Sequence, residues 1–463
     1  MMIRLFRVSI PSSVVALVIT DAALVFSCYF AAAYLTVDAS ADVFFLDDGG
    51  WWRILLVTGV VIVGLYFSDL YEQYRIRSRT ALLQQFSLVI GTAFLFQALL
   101  SYGRWDVILP KWMMVYGSLL VMAIVPLWRI VFVKTVWKAI GAQRLLFVGA
   151  SPASRDVVRR ILDRPELGMA ALGYLSPAEA PGWPEGIQRL DGMENLKAIA
   201  TRLQPDRIVV GLSERRGQLP MHDLLELRLE GVHIEEAATT YETIFGRVTT
   251  AELRPSQLVF SGDLGPKAGM VTLQSIYSWA FGLIGFVLAL PVMLIVSVLV
   301  KLSSKGPVFY RQTRLGRQGK PFLLYKFRSM RQDAEADTGA VWATKDDPRI
   351  TPLGRWLRKL RLDELPQLLN VIRGEMSLVG PRPERPEFIA VLQEKIPYYR
   401  HRLYVKPGVT GWAQINHKYG DTIEDTVVKL EYDLYYIKNL APSLDFYILF
   451  HTVKTVLLGR GAQ

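Results

Sequence analysis

The feature that most constrains the fold is a set of long apolar runs in the N-terminal third of the chain. A helix needs about 20 residues to cross a bilayer. Four runs approach or exceed that length: 14–35, 52–67, 82–100 and 113–133. The second reaches it only if Leu70 and Tyr71 join it. The chain is 51% hydrophobic, and we expect an N-terminal transmembrane bundle of four helices.

The charges that flank these runs predict their orientation. The first connecting loop carries only acidic charges: Asp38, Asp42, Asp47 and Asp48. Basic residues follow the second and fourth runs: Arg75, Arg77, Arg79, Lys134, Lys138 and Arg144. Cytoplasmic loops are enriched in Lys and Arg, so both ends of the bundle are expected in the cytoplasm. Asp21 lies inside the first run and should face a structural partner, because we identify no second ionisable residue within the runs.

Charge and cysteine content narrow the choice of partners. The net charge is +11, and a chain that is both basic and apolar is typical of a membrane protein that touches anionic lipid or a phosphorylated substrate. No helix-turn-helix, zinc or RNA-binding signature is present, so nucleic acid is not an expected partner. The single cysteine, Cys28, excludes a disulfide framework. The basic start at Arg4 and Arg7 precedes a run too long for a cleavable signal peptide.

Residues 144–262 have the pattern of a separate α/β region. Three short apolar segments, 144–148, 207–211 and 232–234, predict buried strands with helical patterns between them. This alternation predicts a small parallel sheet in a Rossmann-like domain. The turn after the first strand resembles a dinucleotide-binding fingerprint, but Gly149, Ser151 and Ser154 stand where three glycines are expected. We therefore expect a structural or regulatory domain without a working cofactor site.

A fifth apolar run, residues 277–300, is long enough to span but is expected not to do so. Pro291 lies near its middle and should break the helix. Basic residues flank both ends: Lys267, Lys301 and Lys305. A full crossing would also carry the basic C-terminal region out of the cytoplasm. We therefore predict a re-entrant hairpin bent at Pro291, which enters and leaves on the cytoplasmic face.

Asp363 and Glu364 form the most informative pair of acidic residues in the C-terminal region. Apolar residues follow them at helical spacing: Leu365, Leu368, Leu369 and Ile372. The spacing predicts a short helix with one buried apolar face. Asp363 is placed to cap this helix, Pro366 falls in its first turn and Gly374 follows its end. The helix dipole would keep Asp363 ionised and favour phosphate nearby, although a plain capping role is the alternative.

Cations surround this acidic pair in the sequence. Residues 301–330 contain eight Lys or Arg and no Asp or Glu. Residues 354–361 form a basic amphipathic segment suited to the membrane interface. Turns rich in Gly and Pro present Arg382 and Lys406. A basic face on anionic lipid accounts for about half of the cations in 301–330. The others suit a phosphate site, in which several Arg and Lys hold a diphosphate, one carboxylate attacks phosphorus and the other holds Mg²⁺.

These motifs resemble those of the bacterial sugar transferases, also called monotopic phosphoglycosyl transferases or polyprenyl-phosphate sugar-1-phosphate transferases. In order along the chain they are KFRSM (326–330), DPRIT (347–351), LDELPQ (362–367) with Asn370, MSLVGPRP (376–383) and KPGVTG (406–411). The resemblance covers residues 270–463, and the spans with a Rossmann-like domain resemble the long form of the family. GAVWA (339–343) is similar to members in exopolysaccharide loci linked to exosortase sorting systems.

The resemblance implies transfer of a sugar 1-phosphate from a UDP-sugar to undecaprenyl phosphate with release of UMP, the first membrane step of exopolysaccharide or capsule synthesis. It implies Asp363 as the nucleophile and Glu364 as the Mg²⁺ ligand. The candidate phosphate contacts are Lys326, Arg328, Arg358, Arg382 and Lys406. The expected location is the bacterial inner membrane with the catalytic domain on its cytoplasmic face. Membrane lipid, a second copy of the chain and other polysaccharide-synthesis proteins are candidate partners.

The expected organisation has four parts. They are a four-helix transmembrane bundle (1–140), a Rossmann-like α/β domain (141–262), a re-entrant membrane hairpin (263–305) and an α+β monotopic catalytic domain with interfacial amphipathic helices (306–463).

Two other functions stay open at this point. A membrane-bound nucleotide-sugar dehydratase or epimerase needs an intact glycine-rich turn and a Tyr-x-x-x-Lys pair, and it would retain NAD on purification. A non-catalytic assembly factor would release no UMP from a UDP-sugar. No residue pattern identifies the sugar.

Overall fold

The computed structural model describes residues 2–36, 41–71, 79–103, 107–139, 142–177, 182–211, 219–253, 265–331, 347–417 and 422–457. The chain forms two compact units. The first comprises Met1–Ile3, Ile10–Arg144 and Ile161–Ala170, and the second comprises Arg4–Ser9, Leu145–Arg160 and Ala171–Gln463. Some residues discussed from the sequence lie outside the described parts: Asp38, Arg75, Arg77, the domain boundary at 262 and the segment 339–343.

Helices dominate the first unit. Two short paired strands, β1 (Met2–Leu5) and β2 (Val8–Pro11), precede α1 (Ser12–Thr36), α2 (Ala41–Leu46), α3 (Gly50–Phe67), α4 (Arg79–Ser101) and α5 (Lys111–Ala139). Helices α1, α3, α4 and α5 are long and apolar enough to cross a membrane, as the sequence predicts. Helix α1 packs against α3 and α5, and α4 packs against α3 and α5.

The acidic residue inside α1 has a charged partner. Arg129 of α5 donates to Asp21 Oδ2 from Nε at 3.1 Å and from Nη2 at 2.5 Å. Tyr71 donates to the same oxygen at 3.1 Å. A partner for Asp21 was predicted, but the inference that no second ionisable residue lies within the runs is wrong, because Arg129 lies in the fourth. Its long side chain reaches α1 across the helix–helix contact.

Alternating strands and helices form a five-stranded sheet. The elements are β3 (Gln143–Val148), α6 (Pro152–Asp163), β4 (Met169–Leu175), β5 (Arg189–Asp191), α7 (Leu196–Leu203), β6 (Arg207–Val210), α8 (Met221–Leu229), β7 (His233–Glu236) and α9 (Ala237–Phe245). The strand order is β5-β4-β3-β6-β7. The pairs β3–β6, β6–β7 and β4–β5 are parallel. Strands β3, β6 and β7 lie at the predicted positions, whereas the sequence did not reveal β4 or β5.

The turn between β3 and α6 is closed by side chains of the chain itself. The Ser154 amide donates to Ser151 Oγ at 3.2 Å. The Ala153 amide donates to Glu252 Oε1 at 3.1 Å. Amides at this helix start would face the pyrophosphate in a dinucleotide-binding domain. Glu252 therefore supplies the anion at this position.

A single long helix, α10 (Ala268–Ser303), contains the fifth apolar run. Pro291 lies inside it, so the expectation that this residue breaks the helix is wrong. Proline removes one backbone hydrogen bond, which a long helix accommodates by bending. The buried residues form one stripe: Val271, Gln274, Ser278, Gly282, Met293, Val296 and Val300.

The remaining elements form the region that the sequence predicts to be catalytic, and we call it the catalytic region. They are β8 (Phe309–Leu315), β9 (Pro321–Phe327), α11 (Pro352–Lys359), α12 (Gln367–Ile372), β10 (Ser377–Val379), α13 (Pro386–Lys395), β11 (Gly408–Thr410), α14 (Trp412–Asn416), α15 (Ile423–Lys438) and α16 (Pro442–Leu457). Strands β8 and β9 are antiparallel, and β10 and β11 are parallel. Leu434 of α15 and Ile448 of α16 lie in the core of this region.

Residues 241–253, which we call the strap, leave the sheet and pack on the catalytic region. The Thr250 amide donates to Glu431 Oε1 at 2.9 Å, and the Tyr241 hydroxyl donates to Glu431 Oε2 at 3.1 Å. Trp412 Nε1 donates to the Gly246 carbonyl at 2.7 Å. Val248 lies in the core cluster of the catalytic region. The strap therefore joins the sheet to the catalytic region before residue 262.

Candidate active site

The acidic pair lies in a tight turn between α11 and α12. Leu362–Glu364 form one 3₁₀ turn, which Arg361 begins in the left-handed conformation at φ 56°. Helix α12 begins only at Gln367, with Pro366 at its N-cap. The prediction that Asp363 caps this helix is therefore wrong, because the turn separates the two. Gly374, at φ 76°, follows the helix end as predicted.

Helix α12 buries a different face from the predicted one. Gln367, Asn370 and Val371 are buried, whereas the predicted apolar face is only half-buried: Leu365, Leu368, Leu369 and Ile372. Asn370 explains the difference. Its Oδ1 accepts the Tyr325 amide at 3.2 Å, and its Nδ2 donates to the carbonyl oxygen of the β9 residue Leu323 at 2.7 Å. These bonds fix the acidic turn against β9.

Glu364 is the centre of an ion-pair cluster. Its Oε1 lies 2.9 Å from Lys326 Nζ and 3.1 Å from Arg382 Nη2. Its Oε2 lies 3.4 Å from Arg361 Nη1. Burial opposes ionisation, but the charges of Lys326, Arg382 and Arg361 hold the pKa of Glu364 well below its usual range. Glu364 therefore stays ionised and holds three cations together.

Asp363 differs from Glu364 in its contacts and in the direction of its pKa shift. Its side chain is buried, and Oδ1 accepts no hydrogen bond within the described part of the chain. Burial raises the pKa of Asp363, against the positive charges of Lys326, Arg358 and Arg361. The neighbouring Glu364 charge raises it further. This carboxylate has a free oxygen and is more basic than an ordinary aspartate.

Short strands position the cations. Lys326 lies on β9, which Asn370 ties to the acidic turn. Arg382 follows β10 in a loop where backbones approach closely. A Cβ at Gly380 would lie 2.4 Å from the Lys406 carbonyl oxygen, so only glycine fits there.

The other predicted phosphate contacts lie in different surroundings. Arg358 bonds Ser329 Oγ at 3.2 Å and lowers the pKa of Asp363 through its charge. Arg328 is buried and donates to the Ser304 carbonyl at 2.7 Å, at the end of α10. Lys406 is half-buried, and burial together with the Arg317 charge lowers its pKa.

Sequence reasoning missed Arg361 as a site residue. The signal was available, because Arg361 precedes Glu364 by three residues, which brings the two side chains together in a helical turn. The motif included Asn370, but its role as the anchor to β9 was not predicted.

The carboxylates fit a metal that arrives with a phosphorylated substrate. No cluster of three or more His, Cys, Asp or Glu that could hold a metal occurs in the parts of the chain the structure describes. Mg²⁺ commonly takes one or two carboxylates plus substrate phosphate oxygens. Asp363 Oδ1 is free, and Glu364 Oε2 has only the 3.4 Å contact with Arg361 among the described residues. These two oxygens fit such a cation.

The part of the chain that contains this site is similar to known proteins. Residues 270–459 match the family described as bacterial sugar transferase. The chain is 43% identical over 231 residues to the UDP-N-acetylgalactosamine-undecaprenyl-phosphate N-acetylgalactosaminephosphotransferase of Aeromonas hydrophila, over 50% of this chain and 53% of that relative. It is 47% identical over 169 residues to the UDP-glucose:undecaprenyl-phosphate glucose-1-phosphate transferase of Xanthomonas campestris pv. campestris, over 36% and 35% of the two chains.

A third relative matches over most of its length. The exopolysaccharide production protein PSS of Rhizobium leguminosarum bv. phaseoli is 42% identical over 177 residues, which cover 37% of this chain and 88% of that relative. The chain thus spans about half of the first relative and about a third of the second.

Proposed function

The chain belongs to the bacterial sugar transferase family, and we propose that it transfers a sugar 1-phosphate from a UDP-sugar to undecaprenyl phosphate, with release of UMP. The observation that carries the proposal is the free, buried Oδ1 of Asp363 beside the cation cluster of Glu364. A basic, unpartnered carboxylate next to fixed positive charge is suited to attack phosphorus. The sugar stays at the level of class, because the relatives' names differ between N-acetylgalactosamine and glucose.

In the first proposed step, an Asp363 oxygen attacks the phosphorus bonded to the sugar. The new P–O bond forms as the bond to the bridging oxygen breaks, and UMP leaves with that electron pair. Lys326 and Arg382 bind the phosphate oxygens and stabilise their negative charge. Glu364 holds both cations in place before the substrate arrives. The product of this step is an aspartyl-phosphosugar.

In the second step, a phosphate oxygen of undecaprenyl phosphate attacks the same phosphorus. The Asp363 carboxylate leaves and is regenerated, and the product is undecaprenyl-diphosphate-sugar. We assign the remaining phosphate contacts to Arg358 and Lys406 and leave out Arg328, whose guanidinium is bound to Ser304. This reaction is the first membrane step of exopolysaccharide or capsule synthesis.

We propose Mg²⁺ as the cofactor, held by Glu364 Oε2 together with the substrate phosphates and near Asp363 Oδ1. When bound, the metal neutralises charge on the diphosphate and makes its phosphorus more electrophilic. The 3.4 Å contact of Arg361 with Glu364 is the longest in the cluster, so Oε2 is the oxygen most easily shared.

We further propose that α10 is re-entrant. Near its start, Gln274 donates to the Val379 carbonyl at 3.2 Å. Near its end, Val300 lies in one apolar cluster with Phe327. The catalytic region therefore contacts the helix over about 40 Å of its length, which exceeds the roughly 30 Å of a bilayer core. A helix that enters and leaves on the cytoplasmic face of the inner membrane, bent at Pro291, allows both contacts.

For the sheet we propose a Rossmann-like domain with a structural or regulatory role. Glu252 and Ser151 take the amides at the start of α6, which supports the expectation that no dinucleotide binds there. The N-terminal apolar helices are proposed to form the transmembrane bundle.

UMP release from a panel of UDP-sugars tests the proposal. The detergent-solubilised protein is supplied with undecaprenyl phosphate and Mg²⁺, and one or more sugars should give UMP. Asp363→Asn should lower the rate by several orders of magnitude, the scale expected for loss of a nucleophile. Its melting temperature should not fall, because removing a buried charge whose pKa is raised does not weaken the fold.

One control variant makes the result specific. Asp347→Asn removes a buried carboxylate that is paired with Arg349, so loss of stability without specific loss of chemistry is expected there. Full activity of Asp363→Asn, or no UMP from any UDP-sugar, would reject the proposal.

A further inference from the structure

The loop that carries Arg382 is held by four donors on three different elements, and we call these donors the clamp. The carbonyl of Pro381 accepts the Gly408 amide at 2.9 Å. The carbonyl of Arg382 accepts Arg402 Nη2 at 3.0 Å. The two carbonyls that follow accept hydrogen bonds from Arg314 Nη1 and the Leu315 amide, each at 3.1 Å. Four successive carbonyls are thereby satisfied, which fixes the path of the loop.

Arg402 is the buried member of this clamp that touches Arg382 itself. It lies in a 3₁₀ turn, Tyr399–Tyr404, and is 7% exposed. Its Nη2 also lies 3.0 Å from Asp433 Oδ2, and its Nη1 donates to the Tyr399 hydroxyl at 2.6 Å. Glu384 lies 3.6 Å away. A buried guanidinium is stable only when its charge is compensated in this way.

Arg382 connects the clamp to the acidic pair. The Arg382 backbone is bound by Arg402, and the Arg382 side chain reaches Glu364 Oε1 at 3.1 Å. A shallow surface depression is lined by Arg382, Glu384 and Arg402 among others. The clamp therefore borders a concave surface on the side where Arg382 is partly exposed.

We propose that Arg402 is a positioning residue, held by Asp433, that fixes Arg382 for phosphate binding. The proposal rests on the proposed function only in naming phosphate as the ligand. Arg402 touches no substrate and acts through the Arg382 backbone. Lysine cannot replace it, because an ammonium lacks the planar fork whose Nη2 reaches Asp433 and the carbonyl while its Nη1 binds Tyr399.

A double-mutant cycle tests this role. Arg402→Lys should lower kcat/KM for the UDP-sugar by about ten- to hundredfold, the effect expected when a binding group is displaced by about 1 Å. In an Arg382→Ala background the same change should cost less than about twofold, because the group it positions is gone. The matched control is Arg400→Lys, an exposed arginine in the same turn, which should leave kcat/KM unchanged.

Equal losses in both backgrounds would overturn the proposal, as would a loss that follows the melting temperature. Asp433→Asn keeps the side-chain shape and should give a smaller loss that also disappears in Arg382→Ala, so it decides the question if Arg402→Lys fails to fold. UDP affinity, measured by thermal shift on the same variants, separates this inference from the proposed function. If the wild type releases no UMP, the function fails, and the affinities still show whether Arg402 acts through Arg382.

Discussion

Two adjacent carboxylates, equally buried, have opposite acidities in this protein. Glu364 touches three cations and has a lowered pKa, whereas Asp363 has a free oxygen and a raised one. Burial acts on both, so the difference comes from direct contact with charge. The arrangement gives the site a permanent negative charge that binds cations and, next to it, a more basic carboxylate.

The raised pKa predicts how pH acts on the first half-reaction. The proposed nucleophile must be ionised, so the rate should fall as pH drops through the pKa of Asp363, which is raised above its usual value. Lys326 is the charge that most lowers this pKa. Lys326→Met should therefore shift the acid limb of the pH–rate profile to higher pH. Single-turnover UMP release without lipid measures it, because the lipid phosphate would titrate as well.

The control is Lys359→Met, which removes an exposed cation on α11 and should leave the limb in place. An unmoved limb in Lys326→Met would exclude Asp363 as the titrating group.

The free energy of unfolding should depend on pH in opposite ways at the two carboxylates. The lowered Glu364 pKa contributes stability that is lost as pH falls through it, while the raised Asp363 pKa disfavours the fold at neutral pH.

Among individual residues, the sequence identified the acidic pair and two of the cations beside it, Lys326 and Arg382, because their motifs are specific. Arg361 was missed although its spacing from Glu364 gave a signal. Nothing in the sequence indicated Arg402 or separated Arg328 from the site. A basic run shows which residues carry charge, and only packing decides which carbonyl or carboxylate each one meets.

Among the elements, the long apolar helices were the most predictable and the short ones the least. Four spans lie where hydropathy placed them. Helix α12 has only six residues, which are too few for periodicity to identify its buried face. Three hydrogen bonds of Asn370 determine which face is buried. Strand β5 has three residues and no detectable pattern.

The proposed re-entrant topology of α10 predicts that both ends of this helix lie on the cytoplasmic face. Because Cys28 is the only cysteine and is buried, single cysteines can be placed at Ala268 and Ser303, the two ends of the helix. Both should be protected from a membrane-impermeant maleimide in intact cells and labelled after permeabilisation. A cysteine at Asp47, in the acidic loop before α3, should be labelled in intact cells. Labelling of only one helix end would show that α10 crosses the membrane.

For the whole molecule, the sequence predicted the order of the regions but not the contacts that join the α/β region to the catalytic region. Hydropathy and strand patterns separate apolar, α/β and basic regions, but the strap lies inside the segment assigned to the α/β region. Its hydrogen bonds, ion pairs and apolar contacts reach residues nearly two hundred positions away, such as Thr250 to Glu431. No local pattern predicts a contact of that separation.

The strap predicts which truncated chains are stable. A chain that starts at Lys267 loses Tyr241 and Thr250, the hydrogen-bond donors to Glu431. Burial already raises the pKa of Glu431, and an unpaired buried carboxylate costs about 1–3 kcal/mol or more. A chain that starts at Ala237 keeps these donors and the bond from Trp412 to Gly246.

The longer chain should therefore melt several degrees higher, measured by thermal denaturation in the same detergent. Glu431→Gln separates the strap contact from the effect of added length. The substitution should destabilise the chain starting at Ala237, where the carboxylate is paired. It should be neutral or stabilising in the chain starting at Lys267, where glutamine removes an unpaired charge. Equal melting temperatures for the two chains, or the same effect of Glu431→Gln in both, would mean that the strap rests on the catalytic region without supporting it.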